Sequence, residues 1–242
     1  MSDADQIPVI EALPHGGENL EVMAEAENYN EFLCDLVRRY AGKSESVVDF
    51  GAGIGTFSNC LELAPEHVHC VETEATSRQV IVAKGFNAYE NVSELRQVVI
   101  PYVFTLNVLE HIEDDVAALG DLFRLLAPGG RLFVYVPAFP ALFTSMDSHV
   151  GHHRRYRLRG LVKRVEDAGF VVEKSAYTDA LGFFATLAFK LFDKPEPAPL
   201  NPKLVRFYDR VLFPLSRLLS IPLGKVLGKN VFVVATKPDE AR

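Results

Sequence analysis

One stretch constrains this chain more than any other: Val47-Val48-Asp49-Phe50-Gly51-Ala52-Gly53-Ile54-Gly55, a short apolar run that ends in closely spaced glycines. A run this short bounded by glycines reads as a buried strand entering a tight turn. Glycines at such a turn let the backbone come nearer to a ligand than any Cβ would permit. Asp49, at the strand end, is placed to accept hydrogen bonds from a ligand amine, directly or through water.

The segments that follow repeat the theme. Strand-like runs over 68–72, 86–89, 103–107 and 131–136 alternate with helical periodicity from about 56, over 76–84 and over 115–126. Pro101 must sit at the start of the fourth run or just outside it, because proline cannot donate to a ladder. Pro128, Gly129 and Gly130 close the helix before the fifth run. Strands alternating with helices at this spacing imply βαβ units and a parallel sheet.

Outside that block the pattern changes. Residues 1–17 lack periodicity and read as a flexible N-terminal arm, followed by one or two helices over 18–40. A loop after Pro137 carries a polar cluster over 147–159, then come a helix at 161–168 and a strand at 171–177. The proline-rich stretch 193–202 reads as a linker, and 231–235 as a final strand. The expected organisation is a ligand-binding domain over 18–180 and 229–237, interrupted by a hydrophobic helical insertion over 181–228. Three roles are open for the insertion: a lid, a homodimer interface, or an in-plane membrane contact.

The glycine spacing is GxGxG, not the GxGxxG expected where a pyrophosphate rests on a helix N-terminus. Glu72 closes the next strand about twenty residues on, where an acid can bind both ribose hydroxyls. A nucleoside with an amino-acid tail and no pyrophosphate is S-adenosylmethionine. VVDFGAGIGTF, VHCVE, LNVLEHIEDD and LAPGGRLFVYVP, in that order, resemble the successive motifs of class I S-adenosylmethionine-dependent methyltransferases. The resemblance covers roughly 29–177. It implies a Rossmann-like α/β fold: a seven-stranded, mostly parallel sheet of order 3-2-1-4-5-7-6, helices on both faces, and the last strand antiparallel between five and six. It further implies that Gly51, Gly53, Gly55 and Asn107 line the methionine part, Glu72 holds the ribose, Asn91 and Val92 meet the adenine, and Tyr29 covers the cofactor. Asn91 departs from the family's usual Asp.

Methyl transfer from a sulfonium is an in-line displacement, and a base is needed only if the acceptor must lose a proton. His111 and His152 compete for that role. MDSHVGHHRRYR resembles a GHxRRY-type element of bacterial methyltransferases associated with surface-glycan or natural-product pathways. There His149, Arg154, Arg155 and Tyr156 are expected at the rim of an acceptor pocket, and arginine forks would suit an anionic acceptor. No metal is expected, since Asn107 occupies the usual carboxylate position and Glu110 and Asp114 lack a matching set. His67 and His69 read as structural.

The formal net charge of -7 speaks against a nucleic-acid partner, because phosphate neutralisation needs surplus Lys and Arg. An RNA methyltransferase is disfavoured further by the missing (N/D)PP(Y/F) tetrad. Cys34, Cys60 and Cys70 show no CxxC and read as unpaired, small buried hydrophobes suited to a reducing compartment. No stretch approaches the roughly 18 to 20 apolar residues of a membrane span. With no secretion signal in view, the expected location is cytoplasmic, with peripheral membrane contact a minority reading. The expected function is methyl transfer to an O or N of a small-molecule or glycan-type acceptor. The alternative is a cofactor-binding partner subunit without catalysis.

Overall fold

The computed structural model describes residues 26–95, 98–192 and 201–239. The N-terminal arm over 1–17 and most of the proline-rich linker, 193–200, lie outside the described residues. The elements run α1 (Glu27–Ala41), β1 (Val47–Phe50), β2 (Val68–Val71), α2 (Ala75–Ala83), β3 (Asn87–Tyr89), β4 (Ile100–Leu106), α3 (Asp115–Leu125) and β5 (Leu126–Pro137). They continue through α4 (Ser145–His149), α5 (Leu158–Asp167), β6 (Val171–Thr178), α6 (Ala180–Leu191), α7 (Pro202–Phe207), α8 (Phe213–Leu223) and β7 (Asn230–Thr236). The sheet has the expected order β3-β2-β1-β4-β5-β7-β6, with β7 antiparallel to both neighbours.

Period-two alternation sorts the central strands onto two faces. Val103 in β4 and Leu132 and Val134 in β5 point to one face, where Leu119 and Leu122 of α3 and Leu161 and Val165 of α5 cover them. Tyr102 and Phe104, with Phe133 and Tyr135, point to the other and meet Leu33, Leu36 and Val37 of α1. Each of these aliphatic side chains is 5% exposed or less, and burying one contributes about 1.5–3 kcal/mol. Trimming Leu122 to alanine would therefore cost about 2–5 kcal/mol.

Three local expectations need correction. Pro101 lies inside β4, and the ladder to β5 shifts register around it, between Ile100 and Tyr102. Pro128, Gly129 and Gly130 do not end the preceding helix but fall in the first residues of β5. The chain end recruits them there: Gly129 N–H donates to Lys237 O at 2.9 Å, and Lys237 N–H to Gly130 O at 2.8 Å. The helix expected from about 56 is absent, and residues 51–61 form successive turns. Ser58 is drawn instead to the buried Asp49, and Cys60 is joined to Cys34 by a disulfide. That bond corrects the reading of three unpaired cysteines, and with it falls their argument for a reducing compartment. Cys70 alone is free, and buried.

Two buried aspartates dock the insertion. Asp179, left-handed at φ 60°, caps α6 by accepting from Gly182 N–H and also accepts from the hydroxyls of Ser216 and Tyr208. Asp209 sits on a π-helical turn, Tyr208–Leu212, between α7 and α8. Its carboxylate accepts the backbone N–H groups of Asn28 and Tyr29 at 3.0 and 2.9 Å. These are orphan donors in the first turn of α1, whose N-cap Ala26 offers no side-chain acceptor. The insertion thus caps the first described helix. Its outer face exposes Leu191, Phe192, Leu204, Leu218 and Ile221. Among the described residues, no helix is long and apolar enough to cross a membrane.

Candidate functional site

The carboxyl ends of β1, β2 and β4 converge on the glycine turn. Gly53 is left-handed at φ 55°, and a Cβ placed on it would meet nothing within 4 Å. Its N–H donates to Glu72 Oε2 at 2.8 Å, while Glu72 Oε1 accepts from Glu74 N–H at 2.9 Å. The turn and the half-buried carboxylate therefore share one open face. Gly51 does a different job, since a Cβ there would stand 2.3 Å from Val108, beyond the end of β4. Gly55 packs near Ser58 and Ile81.

Asp49 departs from its expected role. Its carboxyl is 3% exposed and accepts from Ser58 Oγ at 2.8 Å, so it faces the interior and not an arriving amine. Burial above all, with a contribution from Glu72, pushes its pKa up to about 7. The neighbouring Cys70 thiol is pushed up to about 12 by burial.

A cleft of about 690 Å³ opens beyond β3, with Asn91, Val92, Phe50, Val71 and Leu125 among its lining. Val92 is half-buried there, but the Asn91 amide is already engaged: it accepts from Ser93 N–H and donates to Glu94. At the end of β4, Asn107 holds a left-handed φ of 55°, a region that asparagine enters more readily than most residues other than glycine. The Tyr29 hydroxyl bonds to the side chains of Asn107 and Tyr135, and the Thr178 hydroxyl donates to Tyr135 in turn. Burial raises the Tyr29 pKa, so this run of hydroxyls stays neutral.

The polar segment after β5 is placed differently from its expectation. Arg155, with a side chain 8% exposed, turns Nε and Nη2 onto Asp147 through two contacts of 2.8 Å, while its buried Nη1 meets no hydrogen-bond partner. Tyr156 is buried, and its hydroxyl bonds to Leu109 O and Asp115. Arg154 pairs with Asp115 at 3.1 Å and donates to Glu113 O. Arg154 and Tyr156 brace the segment against the turn after β4 and the start of α3, and Arg155 ties it to Asp147 of α4, a correction to their expected place at a pocket rim. Only His149 is exposed as a rim residue would be. Burial pushes Asp147 up, but bonds from His152 and Arg155 outweigh it and hold the carboxyl well below the usual range.

The same brace carries His152 to the end of β4. Its Nδ1 lies 2.7 Å from Asp147 Oδ1, and its Nε2 lies 3.9 Å from Glu110 Oε1. His111 meets His152 edge to face, ring centres 4.6 Å apart. Desolvation and then the His152 neighbour lower the His111 pKa, while backbone groups of Gly151 and Val150 hydrogen-bond to its ring. Glu110 is fully buried, and neither of its carboxylate oxygens has a hydrogen-bond partner in another residue. Burial raises its pKa to about 8. Glu110, His111 and His152 thus bring ligand atoms within 4.8 Å of one another, two imidazoles and one carboxylate in place of the carboxylate set that magnesium would need. The third member, His152, comes from beyond β5. In the sequence, only the pattern His152 five residues after Asp147 hinted at an oriented imidazole.

A family model described as a methyltransferase domain matches residues 26–175. Among solved structures, the chain is similar to a methyltransferase from Thermotoga maritima described as a possible histamine N-methyltransferase, with 16% identity, 91% and 94% of the two chains covered and a TM-score of 0.60. It is similar to a methyltransferase from Archaeoglobus fulgidus, at 16% identity, 90% and 99% coverage and a TM-score of 0.58. A geranyl diphosphate C-methyltransferase from Streptomyces coelicolor gives 13%, 96% and 88%, and 0.60.

Proposed function

We propose that this chain, which belongs to the methyltransferase-domain family, binds S-adenosylmethionine across the glycine turn and passes its methyl group to an oxygen or nitrogen of a small-molecule or glycan-type acceptor. The observation that carries this reading is Gly53, left-handed, open on its Cβ side and hydrogen-bonded to Glu72. A ribose would rest on Glu72, the amino-acid tail near Gly53 and Asn107, and the base in the cleft lined by Val92. Tyr29 would close the tail end.

The acceptor's lone pair attacks the methyl carbon, the carbon–sulfur bond breaks, and its electron pair returns to sulfur. S-adenosylhomocysteine leaves, and a hydroxyl acceptor also releases its proton. The cluster after β4 is where that proton would go, since Glu110, His111 and His152 gather there and His111 reaches the surface. Fold neighbours described as a geranyl diphosphate C-methyltransferase and a possible histamine N-methyltransferase support a small acceptor. The arginines favour an anionic acceptor less than their number suggests, because Arg154 pairs with Asp115 and Arg155 with Asp147.

The test is label transfer from methyl-labelled S-adenosylmethionine to a panel of sugars, phenols, amines and RNA, with S-adenosylhomocysteine measured in parallel. Transfer to one of the small acceptors is expected. Tight cofactor binding with no product from any arm would favour the non-catalytic partner subunit, and transfer to RNA alone would overturn the acceptor class.

A further inference from the structure

We propose that Glu110, His111 and His152 form a binding site for one divalent transition-metal cation, of the zinc, manganese or iron type. Two imidazoles and one carboxylate are the donor set that such ions prefer, whereas magnesium and calcium favour all-oxygen shells. The three ligand atoms lie within 4.8 Å of one another. Three ligands held tetrahedrally on one ion with bonds of about 2.0–2.2 Å lie about 3.3–3.6 Å apart, so side-chain rotations that move the outer atoms by about 1 Å close the set.

The strongest sign is the carboxylate. Both oxygens of Glu110 are buried and neither meets a hydrogen-bond donor from another residue, only the Glu110 backbone N–H standing near them, although buried polar atoms are almost always paired. Opposite them stands His152. Asp147 also serves Arg155 and Thr144 and acts as an acceptor, so its 2.7 Å contact places the imidazole proton on Nδ1. Nε2 is left facing Glu110 Oε1 at 3.9 Å, too far for a hydrogen bond. His152 Nε2 and Glu110 Oε1 thus face each other beyond hydrogen-bond reach, at a separation that a shared cation would bridge.

The surroundings match those of metal-bound histidines, which pass their second ring N–H to a carboxylate or backbone carbonyl. Asp147 does this for His152, and the backbone at Gly151 and Val150 does it for His111. Arg155 fixes Asp147 in turn. Glu110 is buried, His152 is half-buried and His111 is exposed, so the cluster has an entry path from solvent. Three protein ligands leave positions for an acceptor hydroxyl; with the ion bound these residues would no longer take its proton themselves, and the ion would instead raise its acidity so that solvent can take it. That use rests on the proposed methyl transfer; the binding of the ion does not.

The experiment takes untagged full-length protein, strips it with chelator, and titrates Mn²⁺ or Zn²⁺ alone by calorimetry, with Mn²⁺ also followed by electron paramagnetic resonance. S-adenosylmethionine affinity is measured on the same samples. Saturable uptake of one ion per chain is expected, weakened at least tenfold in both Glu110→Gln and His111→Ala and unchanged in His149→Ala. Wild type that binds the cofactor but takes up no ion overturns the metal site alone. So does uptake that is equal in wild type, Glu110→Gln and His111→Ala. An ion bound without cofactor binding would leave the site standing and remove the methyl-transfer reading.

Discussion

The glycine turn and the GHHRRY segment over 151–156 both read as ligand-binding elements in the sequence, yet the fold treats them in opposite ways. Gly53 faces open space and Glu72 is half-buried beside it, whereas Arg155 and Tyr156 are buried with partners from other elements. A buried side chain paired with other elements holds the structure, whereas open space beside a backbone turn, next to a part-exposed carboxylate that keeps spare lone pairs, is available to a ligand. By that criterion the second region splits. Its arginines and tyrosine form the brace, and His152 is the group the brace presents.

The largest effect expected from this contrast is in Asp147→Ala. It strips the acceptor from Arg155, His152 and Thr144 and leaves a buried guanidinium uncompensated. A loss of about 3–5 kcal/mol should appear in urea unfolding. A loss below about 1 kcal/mol would erase the distinction between brace and open site.

Asp49 sharpens the same contrast on the glycine side through pH. Burial raises its pKa to about 7, above an unfolded value of about 3.9. Its protonated form is therefore favoured on folding, and stability falls as pH climbs from about 4 to about 7. Asp49→Asn escapes that loss, so its stability relative to wild type should improve by up to about 4 kcal/mol across this window. Parallel stability profiles for the two proteins would mean that Asp49 is solvated and free to meet a ligand.

A smaller effect is expected at the insertion. Asp209→Ala removes the acceptor for two backbone donors of α1 and should cost about 1–3 kcal/mol by thermal or chemical unfolding. A change within error would show that water caps α1 equally well.

What the sequence disclosed follows the range of the forces involved. Strands β1, β2, β4 and β5 and their order were legible because apolar runs and glycine breaks are local signals, and the motif order carried the topology. The turns at 51–61 were not, because Asp49 and Cys34 override local helical spacing from outside the segment. The cap that Asp209 places on α1, and the meeting of His152 with Glu110, join residues far apart in the chain and leave no periodic trace. Glu72 and Gly53 were readable from spacing alone, and the structure joins them by a hydrogen bond. Arg155 and Tyr156 were read as acceptor contacts and the fold pairs them with aspartates, since charge patterning does not say whether an arginine meets a ligand or an aspartate.

The central claim is that the open glycine turn holds the cofactor. Calorimetric titration of S-adenosylmethionine into wild type, Glu72→Ala and Gly53→Val tests it most directly. Gly53→Val places a β-branched side chain at a left-handed position in the space a ligand needs. Wild type should bind one equivalent at roughly micromolar affinity. Glu72→Ala should bind about ten- to a hundredfold more weakly, a loss of about 1.5–3 kcal/mol. Gly53→Val should not bind at all while keeping a cooperative unfolding transition. Normal binding by a folded Gly53→Val, or tight binding of NADH in place of S-adenosylmethionine, would contradict the claim.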